Sequence, residues 1–92
     1  MQIKDENDKL FYEIDWEFVE KMAQRMKLNK NKYSPYNWKN GENIEGIKQA
    51  VTRHFIEIQK GSYSDEQELG HWIALGCNAM IAVYQLSHKE LV

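Results

Sequence analysis

The sequence has one cysteine, Cys77, and one proline, Pro35. A single thiol excludes an internal disulfide and any cysteine-based zinc site. Set among apolar neighbours, it reads as a buried, inert group. No stretch approaches the roughly 18 apolar residues needed to cross a bilayer. The polar opening, with Lys4, Asp5, Glu6 and Asp8, holds no apolar run of the signal-peptide kind. A cytoplasmic protein without membrane contact is expected. There is no glycine-rich phosphate loop, no dinucleotide fingerprint and no nucleophile elbow. Ser34, Ser62 and Ser64 lack a matching His/Asp arrangement. A net charge of −2 gives no reason to expect a nucleic acid polymer as partner. No segment of useful length alternates with period two, so strands are not expected.

The 92 residues give room for one domain, residues 1–92. Hydrophobic residues at 42% and charged residues at 28% are ordinary for a globular protein. Three Trp, five Tyr and three Phe exclude a disordered tail. A domain this small buries only about 60–65% of the surface its unfolded chain exposes. It is marginal alone, and a homodimer or homotetramer is expected.

Leu10, Phe11, Tyr12 and Ile14 are too brief a run for a helix and read as an extended arm packed against the body. A first helix should begin near Asp15, a good N-cap residue. Val19, Met22, Ala23 and Met26 then form one apolar stripe. Glu17 and Glu20 lie early and Arg25 and Lys27 late, an order that suits the helix dipole. Ser34-Pro35-Tyr36-Asn37 reads as a turn between Tyr33 and Trp38. A second helix should cover about residues 43–60, with Ile44, Ile47, Val51, Phe55 and Ile58 at helical spacing and His54 beside them. Gly46 inside it would admit another backbone, and Gly61 would stop it. Ser64-Asp65-Glu66-Gln67 fits a capping box opening a third helix that runs to about Ser87. Leu69, Trp72, Ile73, Gly76, Cys77, Met80 and Tyr84 give it a wide apolar face. The fold class is all-α: a small bundle of about three main helices with an extended N-terminal arm.

The polar remainder of the last two helices carries the chemistry. Glu68, His71 and Asn78 fall within about 80° of one another on a helix of 100° per residue. Arg53, His54 and Glu57 are neighbours on the second helix. Arg53 offers a planar fork for phosphate or carboxylate, and the histidines can donate to phosphate oxygens or accept from a base edge. So many polar groups in a small bundle cost free energy unless something satisfies them. Plainer readings stand beside these. His54 can be a hydrogen-bonded core histidine, Arg53 can pair with Asp65 or Glu68, and Asn78 can cap a carbonyl. Residues 5–20 hold seven acids, whereas residues 21–41 hold none but six bases, among them Lys32. That contrast is either a solvated helix end before a basic loop or a positive rim for a phosphate-bearing ligand. Glu57, Asp65 and Glu68 near one hairpin turn can supply carboxylates to Mg²⁺, which also takes phosphate oxygens. Acids are favoured at a helix N-terminus in any case.

The segment Lys32-Tyr33-Ser34-Pro35-Tyr36-Asn37-Trp38-Lys39-Asn40-Gly41 resembles the K-Y-x-x-x-N-W-x-x-G segment of the phage dATP/dGTP diphosphohydrolase N-terminal domain family. Arg53-His54 followed by Gly61 is similar to that family's R-H helix and turn. Asp65-Glu66-Gln67-Glu68, with His71 and Asn78, resembles its acidic turn and H-x(6)-N helix. The arm over residues 9–14 is also similar, so the resemblance runs through most of the chain in order. Where the family often carries a second histidine one turn after the first, this chain has Ala74. The dense E-x-x-E and E-x-x-D pairs of MazG enzymes are not evident.

The resemblance implies a MazG-like all-α fold and binding of a nucleotide. The wider group cleaves a (d)NTP to the monophosphate and pyrophosphate with Mg²⁺. By resemblance, Arg53 and His54 would face phosphates. Asp65 or Glu68 would help hold metal and serve catalysis. Lys32, Tyr33, Asn37 and Trp38 would shape the nucleotide end, and His71 and Asn78 would line the pocket. If phage-encoded, the protein would act in the host cytoplasm. An alternative is a phage protein without chemistry that sequesters a nucleotide second messenger of host antiviral defence.

Overall fold

A computed structural model describes residues 10–28, 44–61 and 64–88. Within these there are three α-helices and no strand: α1, Trp16–Leu28; α2, Ile44–Lys60; and α3, Asp65–Ser87. The turn holding Lys32, Tyr33, Asn37 and Trp38 lies outside the described residues.

Each helix starts or stops on the residue type its backbone demands. The Asp15 carboxylate accepts from the Glu17 N–H at 3.2 Å, and the Asp15 carbonyl accepts from Phe18 and Val19, so α1 is capped where an acid meets the positive end of the dipole. At the end of α2, Gly61 takes φ +61°, a conformation open to glycine and strained for side-chain-bearing residues. Ser64 then sits in extended backbone and its hydroxyl accepts from the Gln67 N–H. Asp65, Glu66 and Glu68 fill the first turn of α3. His88 ends that helix: its backbone N–H and its ring Nδ1–H both donate to the Tyr84 carbonyl, at 3.0 and 2.9 Å, and the two rings stack 4.0 Å apart.

The short connection between Lys60 and Asp65 folds α3 back along α2. His54 and His71 therefore meet, one on each arm of the hairpin. Helix α3 is central. It packs against both α1 and α2, which make no packing contact with each other among the described residues. The buried stripe on α3 is Ile73, Ala74, Cys77 and Ile81, joined by Ile47 from α2. None of the residues of α1 is fully buried.

Several expectations about the apolar faces change. On α2 the inward row is Ile47, Val51, His54 and Ile58; Phe55 is turned about 100° from His54 and stays 49% exposed. On α3, Trp72 points outward and Leu69 is left uncovered near the start of the helix, both about half exposed. The arm is not extended throughout. Phe11–Glu13 form one 3-10 turn and Ile14 returns to extended backbone. Its apolar side chains are about half exposed or more, so the arm is not packed against the body.

The glycines also exchange roles. A Cβ on Gly46 would meet nothing within 4 Å, whereas one on Gly76 would lie 2.6 Å from Phe18 Cζ and 3.2 Å from Met22 Sδ. The close approach is therefore at Gly76, where α1 lies on α3. The Cys77 thiol donates to the Met22 carbonyl at 3.6 Å across the same contact.

Candidate functional site

His54 stands in the middle of the inward row of α2, and His71 faces it from α3. Their Nδ1 atoms are 2.8 Å apart, with ring centroids at 5.1 Å and planes inclined by 53°. Two nitrogens at this distance share one hydrogen, so one ring donates and the other accepts. At least one imidazole is therefore neutral. His54 is thus a hydrogen-bonded histidine, as the plainer reading held, and its partner is the other candidate ligand, His71.

Burial holds the His54 pKa below its ordinary value of 6.5, and the positive fields of Arg25, His71 and Arg53 push the same way. The linked effect on stability has a definite sign. The unfolded chain binds a proton at His54 more readily than the folded one, so stability is full above pH 6.5 and declines as pH falls below it toward the folded value. Urea denaturation at pH 7.5 and 5.5 should show wild type losing stability at the lower pH. His54→Gln should lose less, and equal losses in the two proteins would contradict this account of His54.

Arg25, late in α1 and one of the six bases that follow the acidic stretch, acts on His54 through its charge. Its charge also acts on Cys77, whose thiol is pushed up by burial and drawn partly back by Arg25. One half-buried α1 side chain thus influences groups on α2 and α3. Arg25 lies one turn after Met22, whose backbone carbonyl accepts from Cys77 on α3.

The other candidates divide. Asn78, half-buried, lies two turns beyond His71 on the same side of α3. Glu68, one turn before His71, accepts from the Trp72 indole N–H at 3.2 Å. Arg53 is not turned into the seam. It is exposed and lines an outer groove of about 320 Å³ with Lys48, Gln49 and Thr52. The foreseen pairing of Arg53 with Asp65 or Glu68 is not formed; the ion pairs among the described residues are Lys48–Glu45 and Lys60–Glu57.

Glu57 is held 3.2 Å from Lys60, and Asp65 is exposed in the first turn of α3. Among the described residues no three His, Cys, Asp or Glu side chains form a group that can hold a metal ion. Glu57, Asp65 and Glu68 do not come together as such a group. Lys32, Tyr33, Asn37 and Trp38 lie outside the described residues. No helix among the described residues is long and apolar enough to cross a membrane.

The model of the family described as dATP/dGTP diphosphohydrolase, N-terminal, matches residues 2–92. A dATP/dGTP diphosphohydrolase of Salmonella phage PMBT28 is 30% identical over 77 residues, which cover 84% of this chain and 26% of the relative. The chain thus spans about a quarter of that relative's length. No solved structure matches. With the family model covering nearly every residue, this chain belongs to the dATP/dGTP diphosphohydrolase N-terminal family.

Proposed function

We propose that this chain binds a nucleoside triphosphate at the α2–α3 seam, with His54 and His71 at the phosphate end and Asn78 lining the pocket beyond them. The observation that carries the reading is the histidine pair. Two rings that can donate to phosphate occupy the centre of an otherwise largely apolar helix contact. Apolar side chains would pack that position at lower cost in stability, so a ligand-binding role accounts for the choice. The family and the name of the phage relative support a purine deoxynucleotide as the ligand. The reaction proposed is hydrolysis of a (d)NTP. Water adds to the α-phosphoryl group, the α–β anhydride breaks, and (d)NMP and pyrophosphate leave. Glu68 and Asp65 are the carboxylates proposed to orient that water; Lys32, Tyr33, Asn37 and Trp38 are assigned to the nucleotide by motif alone.

Calorimetry and pyrophosphate release with dATP and dGTP, with and without Mg²⁺, test this directly. Binding by the wild-type chain and release of pyrophosphate in the presence of Mg²⁺ are expected. No heat with either nucleotide would overturn the binding reading, and binding without release would overturn the catalytic one.

A second reading is favoured by the lack of a three-donor metal group among the described residues and by Ala74 where the family often has histidine. In it, a phage protein holds a nucleotide second messenger of antiviral defence without cleaving it. Intact recovery of a bound cyclic or modified nucleotide would support it, and turnover of dATP or dGTP would exclude it.

The assembly proposed is a homodimer or homotetramer. Among the described residues few large apolar ones are fully covered, while Phe55, Ile56, Leu69, Trp72, Val83 and Leu86 remain 47–64% exposed.

A further inference from the structure

The outer face of α2 and the N-terminal arm carry complementary surfaces that do not meet within one chain. Lys48, Gln49, Thr52 and Arg53 line a groove of about 320 Å³, nearly opposite the inward row of α2. Arg53 takes part in neither of the ion pairs among the described residues. Lys48 meets Glu45, but those two side chains are 67% and 69% exposed, and such a pair contributes little. Thr52 directs its hydroxyl hydrogen to the Lys48 carbonyl, so the two cations set the character of the groove. One turn beyond Thr52, Ile56 extends it with an apolar side chain that is 47% exposed. Residues 10–20 are the counterpart. They hold four exposed acids, Glu13, Asp15, Glu17 and Glu20, and no base. Between these acids and just ahead of them, Leu10, Phe11, Tyr12, Ile14 and Trp16 are 47–63% exposed. Neither the 3-10 turn of the arm nor α1 packs against α2, so the arm is not seated on the groove of its own chain.

We propose that this groove receives the arm of a second copy of the chain. Glu13 and Glu17 meet Arg53 and Lys48, and the aromatic side chains of the arm cover Ile56. Each copy has both an arm and a groove, so a two-fold axis makes the contact twice and closes it as a dimer. The inference rests on the assembly reading above and gives that assembly its surface. Opposite charge fixes register and partner choice, while burial of the apolar arm supplies most of the affinity.

Sedimentation equilibrium of the full chain tests this with two charge-reversed variants. One carries Lys48→Glu and Arg53→Glu. The other carries Glu13→Lys and Glu17→Lys and leaves the Asp15 cap of α1 in place. Wild type should self-associate, more weakly as added salt screens the charges. Each variant alone should associate about 10-fold or more weakly than wild type. Mixed in equal amounts the two should associate as wild type does, because both contacts of the mixed dimer again join opposite charges. Wild type that stays monomeric overturns this inference and the assembly reading together. Variants that associate like wild type, or a mixture that recovers nothing, overturn the arm-in-groove contact and leave the assembly reading. Should a variant fail to fold, carbodiimide coupling of wild type mixed from light-nitrogen and heavy-nitrogen chains decides: Lys48 should join an arm carboxylate across the two isotopes. Coupling within one chain alone, or none between Lys48 and the arm, overturns the proposal.

Discussion

Gly76→Val is expected to loosen α1 from the rest of the protein and to cost about 2–3 kcal/mol, the usual range for overfilling a packed contact. The first carbon beyond Cα already falls 2.6 Å from Phe18 Cζ, well inside contact distance. Two further methyl groups add to the crowding. Both the Phe18 ring and the Met22 side chain, which α1 lays on α3 at this point, must shift to make room. A domain of this size has total stability on the order of 5–10 kcal/mol, so the loss is a large part of the whole. Urea denaturation measures it. Gly46→Ala is the matched control, because a Cβ there meets nothing; it should stabilise by up to about 1 kcal/mol through helix propensity. If Gly76→Val melts like wild type, α1 does not lie on α3 as described.

The second large effect concerns the histidine pair, through a double-mutant cycle. His54→Leu and His71→Leu each leave the other Nδ1 without its partner in a half-buried seam. Each should cost about 1–3 kcal/mol. The double variant replaces both polar groups with apolar ones of moderate size, and its loss should be clearly smaller than the sum of the two. Denaturation of the four proteins reads the coupling. If the pair serves a ligand, the double variant folds yet its binding of dGTP drops by about 100-fold, two charge-assisted contacts being removed. Full additivity in stability would show that the rings do not interact. Retained dGTP affinity in a folded double variant would remove the pair from the site.

The helices were readable because their ends are chemically explicit. Asp15, Gly61 and Ser64 each supply something the backbone lacks at a terminus, and those needs are local. The facing of the helices was less readable. Phe55 and His54 differ by one residue in the chain but by about 100° around the helix, and composition alone places the aromatic ring inward. The structure places the imidazole there because His71 is waiting to share a hydrogen. Likewise Gly76 looked like one small member of an apolar face, and only the position of Phe18 makes its lack of a side chain a requirement. At the site, His54 and His71 were singled out for their residue types, and their meeting follows from the hairpin. The placing of Arg53 was not legible. Adjacency to His54 in the chain does not carry it into the seam, because one residue on a helix is about 100° of rotation, and its side chain lies exposed on the outer groove.

Cys77 lies beneath α1 with its thiol on the Met22 carbonyl and its ionisation suppressed by burial. Alkylating reagents attack the thiolate, so in the native protein they must wait for α1 to lift. The rate at which iodoacetamide consumes this one sulfur is therefore a clock for that opening. Any ligand that gathers the three helices together would slow it.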